Sequence, residues 1–163
     1  MGEHLLSAHP NAALIERFYT ALNKRNAEGM VACYAKDVTF SDPVFPGLTG
    51  DRARGMWRML CARGKDLRIE FRDIQADDRT GSAHWEAWYS FSATGRQVHN
   101  VIDATFAFRE GRIATHIDRF DLYRWARQAL GMKGVLLGWA PPVQNTIRRT
   151  AAKALDAFLR PVA

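Results

Sequence analysis

Val98-His99-Asn100-Val101-Ile102-Asp103-Ala104-Thr105-Phe106-Ala107-Phe108 carries the clearest structural pattern in the chain. Val98, Asn100, Ile102, Ala104, Phe106 and Phe108 recur at every second position, the period of a strand with one buried face. The same period runs backwards along the chain. Trp85, Ala87, Tyr89 and Phe91 alternate with His84, Glu86, Trp88 and Ser90, and Leu67, Ile69 and Phe71 alternate with Arg68, Glu70 and Arg72. Turn signals separate these runs at Asp77–Gly81, at Thr94-Gly95 and at Glu110-Gly111, after which Arg112–Phe120 forms a further strand.

Upstream the period lengthens to that of a helix. Leu14, Phe18 and Leu22 fall at i, i+4 and i+8 after Pro10-Asn11, with Ile15 and Tyr19 beside them. Asn26 is placed to cap a second short helix carrying Met30, Cys33 and Tyr34 on one side. A strand over Val38–Asp42 follows, then an irregular loop marked by Pro43, Pro46, Gly47 and Gly50, then a third helix over Asp51–Arg63 that ends at Gly64. Three helices followed by a long antiparallel meander predict an α+β fold in which a curved sheet wraps over the helices.

Downstream, Asp121 is placed to cap a helix through Leu122, Trp125, Ala129 and Leu130, stopped by Gly131. Gly138-Trp139-Ala140-Pro141-Pro142 reads as a rigid joint. Beyond it, Val143, Ile147, Ala151, Leu155 and Phe158 define an amphipathic helix, with Arg148, Arg149 and Lys153 off the stripe. The expected organisation is one domain over residues 1–131 and a C-terminal helical extension over 132–163.

Composition narrows the class. At 163 residues the chain can bury a core without disulfides or a structural metal. Cys33 and Cys61 have apolar neighbours and read as buried free thiols, and no Cys/His cluster suggests zinc. Neither a metal nor a cofactor is implied. Glu3, His4 and His9 argue against a signal-peptide core, Leu6 departs from a myristoylation pattern, and the apolar stretch around Gly134–Val143 is too short to span a bilayer. A cytoplasmic protein is expected. The net charge of +6 is carried by residues 122–163, where seven basic residues face one acid. Such a tail can meet nucleic acid or anionic lipid; without an aromatic-basic pattern, the expectation is a solvated helix face and no nucleic-acid partner, with membrane contact through the C-terminal helix the lesser reading.

Two carboxylates stand out. Asp42 ends the Val38–Asp42 strand inside apolar sequence, and Asp118 lies in His116-Ile117-Asp118-Arg119-Phe120-Asp121. A buried carboxyl has a raised pKa and can move protons near neutrality. The last strand leaves its parity open: one choice turns Ala114, His116, Asp118 and Phe120 inward, the other Ile113, Thr115 and Ile117. Asp42 could also simply cap its turn, Asp118 could pair with an arginine, and His116 could be a hydrogen-bonded core histidine.

The order of elements, with Ala21-Leu22-Asn23, Asp42-Pro43-Val44 and Gly111-Arg112-Ile113 running into Asp118-Arg119-Phe120-Asp121, resembles the nuclear transport factor 2-like superfamily over roughly residues 11–130. That superfamily includes ketosteroid isomerases, SnoaL-like polyketide cyclases and limonene epoxide hydrolases. The resemblance implies a cone-shaped α+β barrel whose concave side is an apolar pocket. It implies Asp42, where ketosteroid isomerases keep their base, and Asp118 as a catalytic acid/base pair, with His116 as a tuning or relay group, in cofactor-free chemistry on a steroid-like, polyketide or epoxide compound. Phe18, Tyr34, Trp57, Tyr89 and Phe120 would line the pocket, and Asn100 could donate to a ligand oxygen. Phe18 stands where ketosteroid isomerases keep an oxyanion-hole tyrosine, which ranks hydrolase or cyclase chemistry above isomerisation. A gapless count turns Asp103, the match for the second donor, outward. The alternatives are a binding module that holds a small hydrophobic molecule without turnover, and an oligomeric scaffold. Trp88 and Val101, on the opposite face of the long strands, suggest a homodimer.

Overall fold

A computed structural model describes residues 9–161; the readings made on Glu3, His4 and Leu6 fall outside them. The helix α1 spans Pro10–Asn23 and α2 spans Ala27–Val31, followed by β1 (Tyr34–Ser41), β2 (Leu48–Thr49) and α3 (Asp51–Arg63). The meander consists of β3 (Arg68–Ala76), β4 (Thr80–Ser90), β5 (Gln97–Arg109) and β6 (Arg112–Arg119). Three more helices close the chain: α4 (Leu122–Leu130), α5 (Met132–Leu137) and α6 (Pro141–Leu159).

The six strands form one unclosed sheet in the order β2-β1-β6-β5-β4-β3. Only the β1–β6 pair is parallel, which is why the chain must cross over through α3 and the meander to return beside β1. Helices α1 and α3 fill the concave side. Ile15, Phe18 and Tyr19 of α1 and Met56 and Trp57 of α3 are all buried there. The β4–β5 register pairs Trp85 with Ile102, Ala87 with Asn100 and Tyr89 with Val98, so the alternating apolar set does face the helices. Asp103 points outward, as the gapless count predicts, and accepts from His84 Nδ1 at 2.9 Å.

Bulges bend the sheet and settle the parity of β6. Opposite β5, Thr115 pairs with Ala107 and Ile113 with Phe108, so Ala114 is the extra residue. Inward burial therefore switches from Ile113 to His116 and Asp118 within one strand. Both parities read from the sequence are used, one on each side of the bulge.

Local capping follows the sequence closely. Asn26 accepts from the Gly29 amide at 3.0 Å, Asp121 from the Arg124 amide at 3.1 Å, and Gly131 breaks α4 with a φ of +65° that a side chain would strain. The second helix is shorter than expected. It stops at Val31, because Tyr34 pairs with Ile113 and is drawn into the sheet. A short helix, α5, fills the stretch between Gly131 and the joint over residues 138–142. On α6, Leu155 is fully buried and Ile147 half-buried, whereas Phe158 of the same stripe is exposed. Arg52 of α3 pairs with Asp156 at 2.7 Å, and Arg148 Nε donates to the Pro43 carbonyl at 2.8 Å, which ties α6 to the loop after β1. Cys33 and Cys61 are buried and free. No helix among the described residues is long and apolar enough to cross a membrane.

Candidate active site

The parallel pair brings the two acids together. Phe40 of β1 lies beside His116 of β6 and Ser41 beside Ile117, so the chain leaves β1 at Asp42 next to the end of β6 that carries Asp118. Neighbouring strands are about 5 Å apart. The Asp118 charge correspondingly contributes to raising the Asp42 pKa.

Around Asp118 runs a buried hydrogen-bonded chain. Trp57 Nε1 donates to Tyr34 Oη at 2.8 Å, and Tyr34 Oη lies 2.8 Å from His116 Nδ1. Since the indole can only donate, the Tyr34 hydrogen is left for His116 Nδ1. His116 Nε2–H then donates to Asp118 Oδ1 at 2.9 Å, and Trp85 Nε1 donates to the same oxygen at 3.3 Å. This tautomer is assigned from the network. His116 is fully buried, with the Phe106 ring at 4.5 Å and the Phe40 ring at 5.0 Å, the latter edge-on. Burial raises the Tyr34 hydroxyl well above its ordinary pKa, with the Asp118 charge acting in the same direction. Tyr34 therefore keeps its proton.

Asp42 is built differently. Its Oδ1 accepts from the backbone amides of Val44 and Phe45 at 2.7 and 2.6 Å, which turns the loop after β1 back on itself. Burial raises its pKa to about 6 even though those two amides pull it down. The turn-capping reading and the perturbed-carboxyl reading thus both hold. Tyr89 stands near, its hydroxyl pushed up to about 12 by burial, with the Asp42 charge adding to the effect. It accepts from Trp125 Nε1 at 2.7 Å, which leaves its own hydrogen to donate.

The free valences are the informative part. Among the described residues, Tyr19 Oη is the one side-chain polar atom both sealed from solvent and without a partner. Among the described residues, Oδ2 of Asp42, Oδ2 of Asp118 and the side-chain amide of Asn100 have no hydrogen-bond partner. Asn100 is nonetheless 91 % buried, on the inward row of β5. Val44, Tyr89 and Phe120 pack against both the main core and the smaller cluster formed by Leu122 and Trp125, marking the seam at which α4 meets the end of the cone.

The expected site residues thus divide into two groups. Asp42, Tyr89, Asn100, Asp118 and Phe120 belong to this end of the cone. Phe18, Tyr34, Trp57 and His116 lie deeper in a packed interior: Phe18 stacks on Tyr34 at 5.3 Å and meets Trp57 edge-on at 5.5 Å. These four support the site from behind. Two residues were read only as core. Alternation turns Trp85 inward without revealing its donation to Asp118, and helical spacing places Tyr19 beside the core without revealing its sealed hydroxyl. A Trp or Tyr at an inward position needs a polar partner, and that was the available signal.

A curved, bulged sheet wrapped over helices defines the class of fold, and the comparisons agree on that fold. A family model described as SnoaL-like domain matches residues 15–116, and the chain belongs to that family. No curated protein matches the sequence. Among solved structures, an NTF2-like protein of unknown function from Burkholderia pseudomallei is 17% identical, covering 74% of this chain and 98% of its own, with a TM-score of 0.65. A proposed polyketide cyclase from Xanthomonas campestris is 24% identical, covering 73% and 96%, with a TM-score of 0.60. An LEH-like epoxide hydrolase from M. tuberculosis is 21% identical, covering 82% and 95%, with a TM-score of 0.58. At these identities the likeness extends to the fold.

Proposed function

We propose that the protein is a cofactor-free acid–base enzyme acting on a small apolar or cyclic molecule, of steroid-like, polyketide or epoxide type. The observation that carries this reading is the closeness of Asp42, its pKa raised to about 6 by burial and also by the charge of Asp118, to Asp118 itself, each with an oxygen that has no hydrogen-bond partner among the described residues. Asp42 is the proton donor, since burial raises its pKa to about 6. Asp118 accepts a proton from water or from substrate carbon on Oδ2, while Trp85 and His116 hold its Oδ1 in place. The Tyr34–His116 bond orients the imidazole. Tyr89 and Asn100 are the available donors to a substrate oxygen. Hydrolase or cyclase chemistry ranks above isomerisation, because Phe18 supplies no hydroxyl.

Asp42→Asn and Asp118→Asn, assayed on a panel of epoxides and enolisable cyclic ketones, should each lower turnover by about 10²- to 10⁴-fold while ligand affinity changes little. The rate should fall as pH rises through about 6, where Asp42 loses its proton. A rate that rises through the same pH would overturn the roles assigned to the two acids. Full activity in both variants would sink the enzyme.

One observation favours a second reading, a binding module without turnover. The interior around His116 is filled by Phe18, Phe40, Trp57 and Phe106, so a ligand held without turnover would have to lie outside this packed centre. A hydrophobic molecule retained in native mass spectrometry and released chemically unchanged would support it.

A further inference from the structure

Helix α5 is built inside out. A surface helix normally buries large apolar residues and exposes polar ones. Here the buried positions are glycines. A Cβ on Gly134 would overlap the Ala126 carbonyl, and one on Gly138 would come within 2.8 Å of the Ala126 Cβ, so this side of α5 lies directly on the backbone of α4. The large side chains are consequently turned to solvent: Met132 is 70 % exposed, Leu136 62 % and Trp139 64 %, with Val135 and Leu137 also exposed. Trp139 Nε1 donates to the Leu136 carbonyl at 3.0 Å, which holds the indole on the last turn of α5.

Beside this apolar surface lies a cationic hollow. Arg96, Arg124 and Arg127 line an open cleft of about 530 Å³ together with Val135, which belongs to both features. Among the described residues none of the three arginines pairs with an acid. Arg96 Nε donates instead to the Gln128 carbonyl at 2.8 Å, and the Arg127 guanidinium sits 4.8 Å from the Tyr123 ring. The one acid after residue 121, Asp156, is taken by Arg52.

We propose that this face, formed by α5, Trp139 and the arginines of the adjoining cleft, docks on the surface of an anionic phospholipid bilayer. Exposed Trp, Leu and Met next to unpaired cations form the composition of an interfacial anchor: the apolar group enters the headgroup boundary and the guanidinium groups meet lipid phosphates. Nucleic acid would satisfy the arginines and leave the apolar group in water. A second copy of this chain would bring like charge against the same cleft. The surface is distinct from α6, the helix whose charge pattern first suggested a membrane.

The full chain should co-sediment with vesicles of mixed phosphatidylcholine and phosphatidylserine, and about tenfold less with phosphatidylcholine alone. Leu136→Ser/Trp139→Ser and Arg124→Glu/Arg127→Glu should each weaken binding to the mixed vesicles by about tenfold or more. Binding of the unaltered protein should also decline as salt is raised, a measurement that requires no variant. Absence of binding, or equal binding to both vesicle types, overturns the proposal. So does a dimer in light scattering that Leu136→Ser/Trp139→Ser dissociates while vesicles are ignored, since the patch would then belong to a second copy.

Discussion

Replacing Asp42 by Asn should make the protein more stable at alkaline pH and no more stable in acid. In the folded chain the Asp42 carboxyl titrates near 6, against an ordinary value of 3.8. The folded state therefore holds this proton more tightly than the unfolded state. The resulting stabilisation is fully present below about pH 4 and is lost as pH rises through about 6, above which folding must bury a charge. A shift of about two pH units corresponds to about 3 kcal/mol. The effect on the variant is smaller, because Asp42 keeps some solvent contact and because a neutral amide oxygen accepts more weakly from the Val44 and Phe45 amides. A gain of about 1–2 kcal/mol at about pH 8 remains, vanishing near pH 4. Urea unfolding of both proteins at the two pH values measures it directly. An equal stability difference at both, or an Asn variant weaker at the higher pH, would refute burial as the cause of the raised pKa. Together with the activity loss expected of the same substitution, the gain would mark a site at which stability is sacrificed to chemistry.

Tyr34→Phe removes the oxygen that joins Trp57 to His116 and leaves two buried groups unpaired, so chemical denaturation should reveal a loss of about 2–4 kcal/mol. Leu155→Ala opens a cavity under α6 and should cost about 2–5 kcal/mol, while deletion of residues 139–163 should lower the melting temperature; an unchanged melting curve in both cases would mean that α6 does not support the domain. On the outer face of the sheet Trp88 stacks on His99 at 4.5 Å with the Arg68 guanidinium 4.1 Å from its ring, a partly apolar surface that we expect to pair with a second copy, and a monomeric mass by light scattering at micromolar concentration would contradict that expectation.

Much of this architecture is local and was therefore legible in residue order. Alternation over Trp85–Phe91 and Val98–Phe108 assigned the inward face of two long strands, because a period of two is a property of the strand itself. Asn26, Asp121 and Gly131 announced helix ends, because a cap satisfies amides only a few residues away. What the sequence could not decide depends on partners distant in the chain. The parity of His116 and Asp118 hinged on a bulge at Ala114, which exists only relative to β5. Tyr34 read as helical until its pairing with Ile113, far along the chain, drew it into β1. The closeness of Asp42 to Asp118 required the β1–β6 pair to set the two strand ends side by side, and the raised pKa of Asp42 required burial, which no local stretch supplies. The sequence alone determined which side chains each element would turn inward; tertiary structure decided which of them would meet, because register and desolvation arise between elements and not within them.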